Sequence, residues 1–235
     1  MWASESQNFF SHQRLPHNST TPSLQNGRTL KEIPSTRLRK KVAKEAAFLL
    51  YTSQEKEYKQ AKKRAAQTLG VHVLPSNIEV AGELDKIAEE NEGLSRQERL
   101  FQMRREALDI METLKDFYPK LVGSVWRGTI HKNSDIDITT FSHNPEDVCT
   151  RLQRGNFKIA KTEWRSVTKQ GEKETSFHIH ISLPSDNEVE VVVRNPEKMG
   201  KHERCEIYGD TVTGLGYSQL KRILKEKPLQ KFVPR

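Results

Sequence analysis

The apolar positions divide the chain into a helical first half and a strand-rich second half. From Thr36 onward they recur at helical spacing until Gly70, where a glycine is expected to end the helix. Ser76 and Ser95 each begin a Ser-x-x-Glu capping box. These boxes predict one helix from Ser76 to Gly93 and another from Ser95 to Pro119.

After Pro119 the apolar period changes to two. This alternation predicts strands at about 135–141, 158–167, 176–183 and 188–194. Asn144-Pro145 is typical of a helix start and predicts a short helix to about residue 154, and Ser218 is expected to cap a last one.

The first 34 residues are polar, with few large apolar side chains. Such a segment buries too little surface to offset its ordering entropy, so we expect it to be disordered. The predicted organisation is a disordered tail at 1–34, a helical region at 35–95, a strand-containing domain at 96–200 and a C-terminal extension at 201–235.

The composition excludes several classes of protein. Hydrophobic residues make up 34% of the chain, and no run approaches the roughly 18 apolar residues of a membrane span. The only cysteines, Cys149 and Cys205, exclude a disulfide scaffold and a zinc site built from cysteines. No signal peptide is recognisable, and we expect a cytoplasmic protein with no membrane partner.

The net charge of +8 is unevenly distributed. Residues 37–70 contain ten Lys or Arg against three Glu, whereas residues 79–98 contain seven acids against two bases. The two segments could pair with each other, or the basic one could bind a polyanion such as RNA. The sequence leaves both interpretations open.

Asp135 and Asp137 are two residues apart on a predicted strand, so their side chains share one face. Ile136 and Ile138 point to the opposite face, into the core. Two adjacent carboxylates repel each other unless a cation lies between them. The pair therefore indicates a site for a hard divalent cation, most plausibly Mg²⁺.

A candidate phosphate cradle precedes these acids. Gly123 permits a close approach of the backbone to a ligand, and Ser124 offers a hydroxyl and an N–H to a phosphate oxygen. Positive charge follows in the same connection, from Arg127, His131 and Lys132. We expect Gly123, Ser124, Arg127 and Lys132 to bind nucleotide.

Residues 121–138, which combine an apolar pair, Gly-Ser, a loop of about ten residues and a flanked Asp-x-Asp, resemble the core signature of the DNA polymerase beta-like nucleotidyltransferases. The resemblance implies an α+β fold: a small mixed sheet packed on helices, here preceded by a helical region. It also implies a third carboxylate on a later strand. Glu190 is our candidate and Glu188 the alternative, since both lie on the face opposite Val189, Val191 and Val193.

The resemblance further implies a metal-dependent reaction. Asp135, Asp137 and Glu190 would hold two Mg²⁺ ions, and a nucleoside monophosphate would pass from a nucleoside triphosphate to an acceptor hydroxyl with release of pyrophosphate. The acceptor could be RNA, bound through the basic segment 37–70. A protein or small-molecule acceptor, or a non-catalytic RNA-binding role, remains as an alternative. The sequence decides neither the nucleotide nor the oligomeric state.

Overall fold

The computed structural model describes residues 29–169, 172–201 and 203–234. The helices are α1 (Thr29–Tyr51), α2 (Tyr58–Thr68), α3 (Asn77–Thr113), α4 (Gly123–Arg127), α5 (Pro145–Arg154) and α6 (Tyr217–Glu226). The strands are β1 (Lys120–Val122), β2 (Ile136–Phe141), β3 (Lys158–Lys169), β4 (Glu172–Ser182), β5 (Glu188–Arg194) and β6 (Leu215–Gly216). No helix in these ranges is long and apolar enough to cross a membrane.

The six strands form one mixed sheet in the order β3-β4-β5-β2-β1-β6. All neighbouring strands are antiparallel except β2 and β5, which run parallel. Buried and half-buried residues alternate along β2, so Ile136, Ile138 and Thr140 face the core, whereas Asp137, Thr139 and Phe141 lie on the other face. The predicted α+β fold with a small mixed sheet is confirmed.

One face of the sheet is covered by helices. Side chains from the second half of α3, from α5 and from α6 join the inward residues of β2, β4 and β5 in a continuous apolar core. Members such as Met103, Ile138 and Val191 are fully buried. The opposite face carries the polar side chains, among them the predicted site residues.

A second apolar core unites α1, α2 and the first half of α3. Gly93, with a φ of 50°, interrupts α3 between the two cores. The predicted capping box at Ser95 does not form, because the Ser95 hydroxyl donates to the Glu92 carbonyl (2.7 Å) and α3 resumes directly. Helix α1 begins at Thr29, inside the predicted tail 1–34. Residues 1–28 lie outside the described residues, and their disorder stays a prediction.

Polar contacts fasten the helical region to the loop that enters β2. The buried guanidinium of Arg96 donates to the Ile130 carbonyl (2.7 Å) and binds the carboxylates of Asp85 and Glu89. From the loop, the Asn133 amide donates to the carbonyl of Tyr51, the last residue of α1 (3.0 Å). The helical region therefore lies beside the connection that leads to Asp135.

The fully buried Arg104 ties α3 to α4 and to the segment after α6. Its guanidinium donates only to carbonyls, at Val125, Trp126, Pro228 and Gln230 over 2.5–3.1 Å. Burial lowers the pKa of this guanidinium to about 10. The charge is thus held by oriented carbonyl dipoles rather than by a carboxylate.

We expect Arg104→Lys to lower the free energy of unfolding by about 2–4 kcal/mol. An ammonium group cannot reach four separated carbonyls, so several buried acceptors lose their donor. Urea denaturation measures the loss. Arg105→Lys is the matched control, because Arg105 is exposed on the same helix and its replacement should change stability by less than about 0.5 kcal/mol. Equal effects of the two substitutions would contradict this role for Arg104.

Candidate active site

The site begins where β1 turns into α4. Gly123 lies in the left-handed region with a φ of 68°, and a Cβ placed on it would lie 1.9 Å from Oδ2 of Asp137. Only a residue without a side chain lets the backbone pass this close to the carboxylate. Ser124 follows in the first turn of α4 and is half-buried. The Gly-Ser dipeptide and the second acid of Asp-x-Asp are therefore direct neighbours.

Parallel pairing of β2 and β5 brings acids from both strands to one place. Asp137 stands opposite Glu190 in the register, on the face away from Ile136 and Ile138. Asp135 lies one residue before β2. Glu190 is half-buried, whereas Glu188 is exposed near the start of β5. Glu190, which stands opposite Asp137 and is more buried than Glu188, stays the predicted third acid.

The carboxylates of this cluster are electrostatically strained. Desolvation, followed by the charges of Asp135 and Glu190, raises the pKa of Asp137. Desolvation also raises the pKa of Asp135, with further contributions from Glu190 and Glu188. Among the described residues neither aspartate forms an ion pair. A bound cation would relieve this repulsion.

Glu190 is held differently from the two aspartates. Its Oε1 accepts hydrogen bonds from Arg165 Nη1 and pairs with His178 Nδ1, both at 2.9 Å, and His180 Nε2 lies 3.7 Å away. His178 is buried, and its Nε2 lies 2.8 Å from the hydroxyl of Ser176. The third carboxylate is therefore turned toward β3 and β4.

The donor set fits a divalent cation in part. Asp135 and Asp137 supply two hard oxygen ligands, and the pKa of each is raised by desolvation and by neighbouring carboxylates. Within the described ranges, however, no three side chains of His, Cys, Asp or Glu are already arranged to hold a metal ion. Glu190 would have to leave Arg165 to complete the set.

A cleft of about 220 Å³ opens beside the acids. Its polar lining comes from acidic residues of β2 and β5 and from basic residues of the β3–β4 hairpin. They are Asp135, Glu188, Glu190, Lys161, Arg165 and His180. The cleft therefore presents carboxylates on one side and cationic groups on the other.

Two of the predicted nucleotide-binding residues lie away from this cleft. Arg127 is buried, pairs with both oxygens of Asp210 (2.7 and 2.9 Å) and stacks on Trp126, 4.3 Å from the ring centroid. Lys132 is exposed, and its ammonium lies 4.7 Å from the centroid of the Tyr51 ring. The structure therefore brings together Gly123, Ser124, Asp135, Asp137 and Glu190, but not Arg127 and Lys132.

Sequence reasoning did not identify Arg165, Glu163 or Lys161 as neighbours of the acids. They reach the site because β3 pairs with β4 and β4 with β5, which aligns Lys161 with His180 and His180 with Glu190. Such a register between distant strands cannot be read from a single sequence. A usable signal was the alternation of charged residues at 161, 163 and 165, which places all three on one face.

Known proteins resemble the central part of this chain. Two solved structures are similar, one described as "Structural Basis for the Activity of a Cytoplasmic RNA Terminal U-transferase" and one of Cid1 in complex with the UTP analog UMPNPP. Sequence identity is 16% and 18%, with TM-scores of 0.30 and 0.29, over 48% of this chain in each case. The matched region spans only 35% and 37% of those longer chains. No curated protein matches the sequence.

The family comparison gives a defined region. Residues 104–209 match the family model of the nucleotidyltransferase domain. This range begins in α3, includes β1 to β5 and contains Asp135, Asp137, Glu188 and Glu190. The Gly-Ser and Asp-x-Asp motifs fall inside it, at the close contact between Gly123 and Asp137. Residues 104–209, a little under half of the chain, are therefore similar to a nucleotidyltransferase domain.

Proposed function

We propose that this protein catalyses Mg²⁺-dependent transfer of a nucleoside monophosphate from a nucleoside triphosphate to a hydroxyl group of RNA, with release of pyrophosphate. The observation that carries this proposal is the acid cluster. Gly123 lies against Asp137, Asp137 stands opposite Glu190, and Asp135 shares their face, inside a nucleotidyltransferase domain.

The proposed roles follow from position and chemistry. Asp135, Asp137 and Glu190 would hold two Mg²⁺ ions, which neutralise phosphate charge and lower the pKa of the attacking hydroxyl when bound. Ser124 would direct its hydroxyl and backbone N–H at the triphosphate. Glu190 would also accept the proton of the acceptor hydroxyl. Most of the rate enhancement would then come from positioning and charge neutralisation.

The direct test is incubation of the purified chain with Mg²⁺ and each of the four labelled ribonucleoside triphosphates, with RNA added as acceptor. We expect label in RNA and release of pyrophosphate, both abolished by EDTA. Parallel reactions contain a protein lysate or a mixture of small hydroxyl compounds. Label in those acceptors alone would move the substrate class away from RNA, and no label in any would contradict a transferase function.

We expect Glu190→Gln to reduce transfer by at least about a hundredfold, with nucleoside triphosphate binding largely retained through Ser124, Asp135 and Asp137. Glu188→Gln is the matched control, since Glu188 is exposed two residues away on the same strand, and should retain most of the activity. Initial rates and nucleotide affinity of both variants decide the assignment. The reverse ranking would make Glu188 the third carboxylate.

The choice of RNA as acceptor is supported by a basic surface on α1, α2 and the turn between them. It comprises Arg37, Arg39, Lys40, Lys41, Lys44, Lys56, Lys59, Lys62, Lys63 and Arg64. All are exposed except the half-buried Lys62. Among the described residues, only Arg64 of this set forms an ion pair, with the neighbouring Glu55 (3.1 Å).

The acidic segment 79–98 pairs with bases inside or next to itself and with Lys231, rather than with the basic surface. Its ion pairs within the described chain are with Lys86, Arg96, Arg99 and Lys231. Only a weak interaction links Glu79 of this segment to the basic surface. Desolvation raises the pKa of Glu79, but hydrogen bonds from Ser76 and, to a smaller extent, the charges of Arg39 and Lys62 lower it overall. The basic surface is thus left mostly available to a polyanion.

We expect RNA affinity to fall steeply with salt and to decrease further when Lys62, Lys63 and Arg64 are replaced by Glu. Each lost phosphate contact should lower the log–log salt slope by about 0.7 for a single strand. Filter binding or fluorescence anisotropy at several salt concentrations measures both quantities. Reversal of Lys221, Arg222 and Lys225 on α6 serves as the charge-matched control. An affinity insensitive to salt and to the first set would exclude this surface.

A further inference from the structure

The basic side chains of the β3–β4 hairpin have no role in the function proposed so far, although they border the acid cluster. Arg165 bridges two strands, binding Glu163 on β3 and Glu190 on β5. Lys161 Nζ also pairs with Oε2 of Glu163 (2.5 Å). The side chain of Arg165 is 47% exposed, so it can change partner without unfolding the sheet.

We propose that Arg165, supported by Lys161, binds the backbone phosphate next to the terminal hydroxyl of the RNA acceptor, and that it becomes available for this when a divalent cation replaces it beside Glu190. This inference rests on the function proposed above. It adds an acceptor subsite and a reason why metal and acceptor should bind together.

The order of strands determines which substrate this subsite meets. Gly123 and Ser124 lie at the end of β1, on one side of the acid-bearing strands β2 and β5, while the hairpin lies on the other side. In-line displacement places the attacking hydroxyl opposite the leaving pyrophosphate. A triphosphate held at Ser124 therefore leaves the hairpin side to the acceptor.

The contacts of Glu190 explain the dependence on metal. Without metal, its Oε1 has three basic neighbours, and Arg165 is the one that carries a permanent charge. A cation drawn in by Asp135 and Asp137 would compete with Arg165 for this oxygen. Once displaced, the planar guanidinium can bind two phosphate oxygens in the fork geometry that suits it.

His180 gives independent support for a ligand at this place. Its Nε2 is buried and has no hydrogen-bond partner among the described residues, although it lines the cleft with Lys161 and Arg165. A phosphate oxygen in the cleft would supply that partner. Metal and acceptor would then bind with positive coupling, each raising the affinity of the other by the same factor.

The test uses the full chain with two separate probes: Mn²⁺ alone, followed by electron paramagnetic resonance, and a labelled single-stranded RNA trinucleotide, followed by anisotropy. For the wild type we expect Mn²⁺ to increase trinucleotide affinity. NaCl at the same ionic strength is the control and should not increase it. In Arg165→Gln, trinucleotide affinity with Mn²⁺ should fall about tenfold or more. Affinity for Mn²⁺ alone should rise severalfold, because the competitor of the metal has gone.

Two further variants separate this role from general charge and from folding. Arg165→Lys keeps the charge without the fork and should bind the trinucleotide with intermediate affinity. Lys225 lies on α6, which packs against the other face of the sheet. Lys225→Gln should therefore behave as wild type with both probes. Circular dichroism of each variant reports folding.

The outcomes distinguish the inference from the function on which it rests. A wild type that binds neither Mn²⁺ nor nucleoside triphosphate would contradict the proposed function itself. If the wild type binds both but Arg165→Gln leaves trinucleotide affinity unchanged, the acceptor subsite is wrong. If that variant binds Mn²⁺ no more tightly than wild type, the proposed competition for Glu190 is wrong.

Discussion

Replacement of Asp137 by Asn is expected to abolish catalysis and, at the same time, to stabilise the protein in the absence of metal. The activity loss should be at least about a thousandfold, since a central ligand for the proposed cations disappears. The stability gain follows from the raised pKa of Asp137, which arises from desolvation and from the neighbouring Asp135 and Glu190 carboxylates. A neutral amide of the same shape removes that repulsion, and we expect a gain on the order of 1–2 kcal/mol at pH 7.

The raised pKa of Asp137 also predicts how the stability of the wild type changes with pH. An acid whose pKa is higher in the folded protein than in the unfolded chain holds its proton longer when folded, so stability decreases as pH rises through that window. The stability difference between Asp137→Asn and the wild type should therefore widen from about pH 4 toward neutrality. Thermal denaturation at several pH values measures it.

Added Mg²⁺ should reverse the ranking. It stabilises the wild type by binding the folded state, and it should leave the Asn variant nearly unchanged. Asp109→Asn is the control, because Asp109 is exposed on α3 and its loss should affect neither activity nor the response to metal. A variant that is less stable than wild type at every pH without metal would contradict the electrostatic account of this site.

Gly123→Ala should have the second largest effect. The new methyl group would lie 1.9 Å from Oδ2 and 2.8 Å from Cγ of Asp137, and the φ of 68° is strained for any residue with a Cβ. Either the carboxylate or the start of α4 must move. A displacement of about 1 Å in a catalytic constellation costs on the order of a hundredfold in rate, which is the loss we expect.

Gly70→Ala provides the matched control for backbone strain. Gly70 has a similar φ of 63°, but a Cβ there would meet nothing within 4 Å. It should therefore cost only the left-handed strain of about 1–2 kcal/mol in unfolding free energy, with activity retained. Comparison of rates and denaturation midpoints isolates the contact with Asp137. Equal activity in the two variants would mean that the approach of Gly123 to Asp137 has no catalytic importance.

The sequence predicted the elements that local patterns encode. Alternation along β2 correctly assigned Ile136 and Ile138 to the core, and the Gly-Ser and Asp-x-Asp motifs led to the nucleotidyltransferase family whose model matches residues 104–209. Asn144-Pro145 correctly marked the start of α5, where the Asn144 side chain accepts a hydrogen bond from Glu146 N. Each of these features depends on residues close together in the chain.

The remaining features depend on contacts between distant residues. Whether Arg127 faces a ligand or an internal partner was decided by Asp210, 83 positions later, which no local pattern reveals. The neighbours of Glu190 depend on the register of β3, β4 and β5. All three strands follow the Gly-Ser and Asp-x-Asp motifs in the chain, so the motifs carry no information about that register. By contrast, the interruption of α3 at Gly93 falls where the local sequence predicts a helix end, although the capping box predicted at Ser95 does not form.

The carbonyls that hold Arg104 also determine when the domain can be completed during synthesis. Two of its four acceptors lie 124 and 126 residues further along the chain. The Phe232 carbonyl, which accepts a hydrogen bond from Arg127, lies 105 residues after Arg127. A nascent chain that has not yet exposed these residues must leave a guanidinium in the forming core without its full set of acceptors, or keep that core open. On the ribosome, the helical region at 35–95 can therefore assemble first, while closure of the catalytic sheet follows only after residue 232 has emerged.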